Sequence, residues 1–259
     1  MRLRNLIIGL LVLLSAIPAL GYEMFPCNVG NKWEYETVKV FSGEVKINNL
    51  PVSLMKNIQS GRSIYEITEG PTNGFFSYLE TQELSDIRGV TESEKTLIKI
   101  SLTDKGMLIH STLREATGMQ NPESETYSPP LLYFASDADK NKTWDIGAFK
   151  DKDLSEPFKG RSAGRETVTV PAGTFKDCLK VVYSSEGATG TFDAFETKFK
   201  PAGGKSINVY WIAEGVGVVK ELEVSTSKAE AKGPDGSILY TEGSTCTVSE
   251  LKPGYVVKK

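Results

Sequence analysis

The sequence predicts a mainly β fold: a large curved antiparallel sheet with little helix, built as a half-barrel or as two similar half-sheets. Three observations predict it. Apolar and polar residues alternate through most of the chain, no segment keeps apolar residues at i, i+3, i+4 and i+7 for three turns, and Gly, Pro and Asp clusters punctuate the alternation.

Arg2 and Arg4 precede an apolar run, Leu6–Leu20, that ends in Ala19-Leu20-Gly21. This reads as an export signal cleaved after Gly21, since the run is about 15 residues long and a helix needs roughly 20 to cross a membrane. Cys27 follows Met24-Phe25-Pro26, which is not a lipid-attachment context. The remainder, 22–259, reads as a single β-rich domain whose halves meet near residue 130, with no later segment apolar enough to span a membrane. A periplasmic or secreted location follows from the signal.

Trp33, Tyr35 and Thr37 share one face of a strand opened by Asn31-Lys32, with Glu34 and Glu36 on the other. Further strands are expected at Ser63–Thr68, Gly74–Leu79, Thr96–Leu102, Met107–Leu113, Glu166–Val170, Cys178–Ser184, Thr191–Lys200, Ile207–Ala213, Gly217–Ser225, Ile238–Tyr240 and Ser244–Leu251. Asp104-Lys105-Gly106, Pro201-Ala202-Gly203-Gly204 and Gly233-Pro234-Asp235-Gly236 supply turn chemistry. Thr81–Arg88 reads as two helical turns, with Thr81 as cap, Leu84 and Ile87 inward, and Gly89 as the stop. Glu115–Pro130 reads as an irregular crossing and Lys150–Gly164 as a loop. An aromatic leads through a turn to Trp33 and again to Trp144, which suggests an internal duplication.

Charge narrows the function. Without residues 1–21, the chain has 28 basic and 33 acidic side chains, a net charge of −5, with no basic stripe for nucleic acid. Cys178 and Cys246, both in strand-like segments, are candidates for one disulfide, and a pairing through Cys27 or three free thiols are the alternatives.

Three motifs resemble a known group: Phe25-Pro26 through Val29-Gly30-Asn31-Lys32-Trp33, then Val168-Thr169-Val170-Pro171-Ala172-Gly173-Thr174-Phe175, then Gly215-Val216-Gly217-Val218-Val219-Lys220. Together they resemble a group of uncharacterised exported bacterial proteins. That group is similar in turn to the curved half-barrels of envelope lipoprotein carriers, whose helical lids have no counterpart here. Without the resemblance the motifs still read as architecture: Pro171 ends a strand, Gly173 permits a positive φ, and Gly215 and Gly217 flank a bend.

Catalytic and metal chemistry find little support. His110, the single histidine, lies on an apparent strand without a nucleophile elbow, and Ser53-Leu54-Met55-Lys56 lacks its companion motifs. Asp137–Asp145 spaces oxygen side chains as a calcium loop does, but Lys142 and Ala148 occupy the positions of the required Gly and acid. No metal site and no cofactor are expected. A hydrolase would have to draw on Glu34, Glu36, Glu66, Asp145 or Glu214. The leading expectation is a non-enzymatic module that binds an apolar ligand or hydrophobic segment on the curved sheet, through Trp33, Tyr35, Trp144, Tyr210 and Trp211. The alternative is an envelope assembly protein that engages a partner through an edge strand.

Overall fold

The computed structural model describes residues 24–258 apart from 73, 141, 152, 195, 196 and 234. The expected export segment lies outside the described residues. The strands are β1 (Lys32–Ile47), β2 (Leu50–Thr72), β3 (Phe75–Asp86), β4 (Thr91–Thr103), β5 (Gly106–Ala116), β6 (Glu123–Ala135) and β7 (Thr143–Asp151), followed by β8 (Leu154–Val170), β9 (Gly173–Ser185), β10 (Thr189–Gly190), β11 (Phe192–Ala194), β12 (Thr197–Ala213), β13 (Gly217–Lys232) and β14 (Ile238–Leu251). A 3-10 turn, Ala138–Lys140, sits between β6 and β7.

Most neighbours in sequence are neighbours in the sheet, and the ladders are antiparallel. β1 to β6 form one meander. β7, β8, β9, β12, β13 and β14 form another, with β10 beside β8 and β11 beside β12. β14 then pairs with β1 from Tyr35↔Leu251 to Ile47↔Leu239, making one sheet of the two. Its outer strands, β6 and β7, are consecutive in the chain and pack against each other, so the sheet curls into a half-barrel around its concave face. The expected fold class is the observed one. Trp33 and Trp144 are each the second residue of the first strand of a meander.

Alternation explains which face is inside. Along β1, Trp33, Tyr35 and Thr37 are buried while Lys32, Glu36 and Val38 are exposed, the period of two that a strand imposes. Fully buried Phe134, Leu179, Ile212 and Leu251 each contribute about 1.5–3 kcal/mol by leaving water. The sheet edges are joined by rings: Phe134 and Trp144 lie 6.2 Å apart, and Tyr133 of β6 meets Tyr183 of β9 at 5.0 Å. Residues 24–31 pack where β1 begins, with Met24 and Cys27 in the core and the Asn31 side chain bonded to Pro26 O at 3.0 Å and to Lys258 N at 2.7 Å.

Several expectations are corrected. Thr81–Asp86 is not helical but completes β3, because Leu84 pairs across to Gly61 and to Glu92. Ile87, expected inward, is 90% exposed at a turn held by Asp86, whose Oδ1 accepts from Arg88 N and Val90 N. The supposed crossing Glu115–Pro130 is mostly strand. Pro129 and Pro130 are tolerated because β6 is an outer strand and its register shifts against β5 between Ile109 and Ser111. Lys150–Gly164 belongs largely to β7 and β8. Gly160 within it is a packing requirement, since a Cβ there would come within 2.2 Å of the Trp144 ring. Pro201–Gly204 is a bulge inside β12, not a turn.

Cys27, Cys178 and Cys246 are all free. The expected Cys178–Cys246 disulfide is absent because β12 and β13 lie between β9 and β14, and three strand spacings amount to about 14 Å, beyond the reach of a disulfide.

Candidate functional site

The concave face encloses a cavity of about 450 Å³ to which strands of both meanders contribute. Two runs of tyrosine form opposite walls. Tyr35, Tyr65 and Tyr78 stand on β1, β2 and β3 with ring centroids 4.8 and 5.5 Å apart. Tyr133, Tyr183 and Tyr210 come from β6, β9 and β12, with Tyr183 and Tyr210 5.2 Å apart and Tyr133 and Tyr210 6.3 Å apart. Ile98, Ile100, Met107 and Ile109 of β4 and β5 make an aliphatic wall, and Phe25, Pro26 and Cys27 line the end near the start of β1.

Hydrogen bonds fix the aromatic rims. Trp33 Nε1 donates to Val216 O at 2.6 Å, in the bend between β12 and β13. The Tyr35 hydroxyl donates to Val218 O at 2.7 Å, tying β1 to β13 across the intervening β14. Tyr35→Phe would remove that hydrogen bond, a loss of about 0.5–1.5 kcal/mol. The expected result is a lower urea midpoint with an unchanged slope, read by tryptophan fluorescence.

Two carboxyls sit among the tyrosines. Glu80 is opposite Tyr65 on the neighbouring strand, and Glu221 is opposite Tyr210. The Tyr65 hydroxyl donates to Glu221 Oε2 at 3.1 Å, reaching from β2 to β13 over the concavity. Burial pushes Glu80 up to about 8, with the charges of Glu221 and Glu94 adding to the rise. Burial also lifts Glu221 to about 7, Glu223 reinforcing it while the Tyr210 and Tyr65 hydroxyls oppose it. Glu223 itself is raised by burial. Tyr35, Tyr65, Tyr78, Tyr183 and Tyr210 are all held well above the usual phenol range by burial, so they remain neutral donors. Among the described residues that line the cavity, none is Lys, Arg or His.

Of the five aromatics singled out by sequence, Trp33, Tyr35 and Tyr210 line the cavity. Trp144 does not: it is wedged between Phe134, Tyr183 and the flat surface offered by Gly160. Trp211 faces away from Tyr210, donating to Glu166 beneath the ammonium groups of Lys180 and Lys220, 5.0 and 5.9 Å from its ring. The carboxylates considered for hydrolysis lie elsewhere. Glu34 pairs with Lys252 and Glu66 with Lys32, while Glu36, Asp145 and Glu214 are exposed. His110 accepts or donates at Ser101 Oγ, 2.8 Å away, and packs edge-on against Phe75. Asp137 is paired with Lys142, and Asn141, the middle of the calcium-like loop, lies outside the described residues.

The stretch from β8 into β13 supplies Tyr183, Asn208, Tyr210 and Glu221 to the cavity. Residues 155–229 match a family model described as DUF3108-like. The family is uncharacterised. The DUF3108-like stretch holds the Pro171–Phe175 turn and the Gly215–Gly217 bend, while Trp33, Tyr35, Tyr65 and Glu80 stand outside it. No curated protein matches the chain.

Proposed function

We propose that the protein is an exported binding module that encloses an apolar ligand on the concave face of its sheet. The observation that carries this reading is the cavity, whose volume lies within the roughly 300–1,000 Å³ of small-molecule sites and whose lining is chiefly aromatic and aliphatic. A core built for stability alone would close such a space at the density of an organic crystal. The Arg2–Gly21 signal supports export, and the resemblance to lipoprotein-carrier half-barrels supports carriage of something apolar.

Native mass spectrometry of protein purified with its own leader tests both parts. An intact mass beginning at Tyr22 and an adduct removed by organic extraction are the expected result. A mass retaining residues 1–21 would overturn export by cleavage, and an apo mass before extraction would count against tight carriage.

One observation favours assembly as a second reading. β3 pairs with β2 only from Gln59 onward, so Leu50–Ile58 is hydrogen-bonded on one side alone, and it exposes Leu50, Val52 and Leu54. An apolar half-paired strand is a template for strand addition. A complex in the same spectra that disappears in Leu54→Lys would support this reading over carriage.

A further inference from the structure

The hydrogen-bonding groups of the cavity are unevenly matched. Its indole and two of its hydroxyls are committed: Trp33 to Val216 O, Tyr35 to Val218 O and Tyr65 to Glu221. Acceptors are left over. The Asn208 Oδ1 atom is buried against the cavity and makes no hydrogen bond among the described residues. A carboxylate has about four lone-pair sites, and the Tyr65 hydroxyl for Glu80 and the Tyr65 and Tyr210 hydroxyls for Glu221 leave several of them open. With no basic side chain in the lining, an ionised carboxylate there has no partner of opposite charge. What the site lacks is a cation that brings N–H donors.

We infer that the ligand is an amphiphile with a primary ammonium head, received by Glu80, Glu221 and Asn208 between the tyrosine runs, with its apolar tail along Ile98, Ile100, Met107 and Ile109. This rests on the apolar-ligand reading above and names the head group that reading leaves open. At neutral pH the incoming ammonium displaces the proton that burial keeps on the carboxyl pair, so binding releases a proton to solvent.

Titration calorimetry with decylammonium, decanol and decanoate, which share one chain length, separates the two claims. Decylammonium is expected to bind at least about tenfold more tightly than decanol, and decanoate more weakly than either. In Glu80→Gln/Glu221→Gln the advantage of decylammonium over decanol disappears, and a urea midpoint at about pH 5 equal to that of the native chain shows that the fold is intact. Equal affinity for decanol and decylammonium, or an advantage that survives the double substitution, overturns the ammonium inference and leaves apolar binding standing. Failure of all three compounds to bind overturns the apolar-ligand reading itself.

Discussion

Gly106→Ala is expected to destabilise the protein by about 3–5 kcal/mol, backbone strain of roughly 1–3 kcal/mol being compounded by a clash of similar size. Gly106 opens β5 with φ +131°, a conformation that residues with side chains rarely adopt. A Cβ built there would lie 1.9 Å from the Phe134 carbonyl oxygen and 2.8 Å from Ser136 N, and neither is a side-chain end that can swing aside. The ladder must part where Gly106 meets Ala135. Because β6 carries Tyr133 and Phe134, parting it from β5 opens the cavity wall and breaks the rings that bind β6 to β7 and β9. Gly173 provides the comparison. Its φ is +134°, but a Cβ there has nothing within 4 Å, so Gly173→Ala carries the strain alone, about 1–3 kcal/mol. Urea titration of both variants checks the difference. Equal losses would mean that the approach of β5 to β6 contributes nothing.

Much of this architecture is legible because a strand writes itself in a period of two. The faces of β1, the turns at Asp104 and Gly233 and the bend at Gly215 follow from local residue chemistry. The same period contains information that the candidate ligand residues ignored: Tyr210 and Trp211 are adjacent on one strand and must face opposite sides, so they cannot both line one cavity. Tyr65, Tyr78 and Glu80 share parity with inward neighbours on their strands, yet nothing local distinguishes a side chain that fills a core from one that borders a void. That distinction depends on how far the sheet curls. The curl is set by β14 pairing with β1 some 200 residues away in sequence, and by β6 meeting β7. Thr81–Asp86 misleads for a related reason: Leu84 and Ile87 have helical spacing, but ladders on both sides outweigh a short helix's preference. The Asn48-Asn49 hairpin is not among the turns expected from sequence, although asparagine tolerates the positive φ, 49° and 67°, that both residues adopt there.

Stability is expected to fall as the pH rises from about 5 to about 9, against the usual behaviour of paired carboxylates. Glu221 and Glu80 have their folded pKa values raised from 4.5 to about 7 and about 8. Between the unfolded and folded values the native state keeps protons that the unfolded chain has released. Unfolding therefore gains with each unit of pH, at about 1.4 kcal/mol per group. For Glu221 the loss is complete once it ionises and amounts to roughly 3 kcal/mol, or a midpoint about 6–12 °C lower. Glu80 ionises later, because part of what holds it up is the charge that Glu221 acquires first. The other groups facing the pair do not cancel the effect: the six tyrosines stay neutral, Glu223 adds like charge to both and Glu94 to Glu80, and Glu156 acts on Glu223. Lys39 acts on Glu223, lowering it, from outside the cavity lining. At acid pH the slope reverses. Glu34 and Glu166, whose pKa values are lowered by Lys252 and by Trp211 and Lys180, lose their bonds as they protonate. The Glu80→Gln/Glu221→Gln variant removes both titrations at constant shape and leaves that of Glu223, so its melting temperature should fall much less than that of the native chain. A bound ammonium supplies the missing charge, so saturating decylammonium should raise the midpoint more at about pH 8 than at about pH 5, where the carboxyls already hold protons. A native melting temperature that is flat over this range would mean that water reaches the two carboxyls freely and that the cavity is open to solvent.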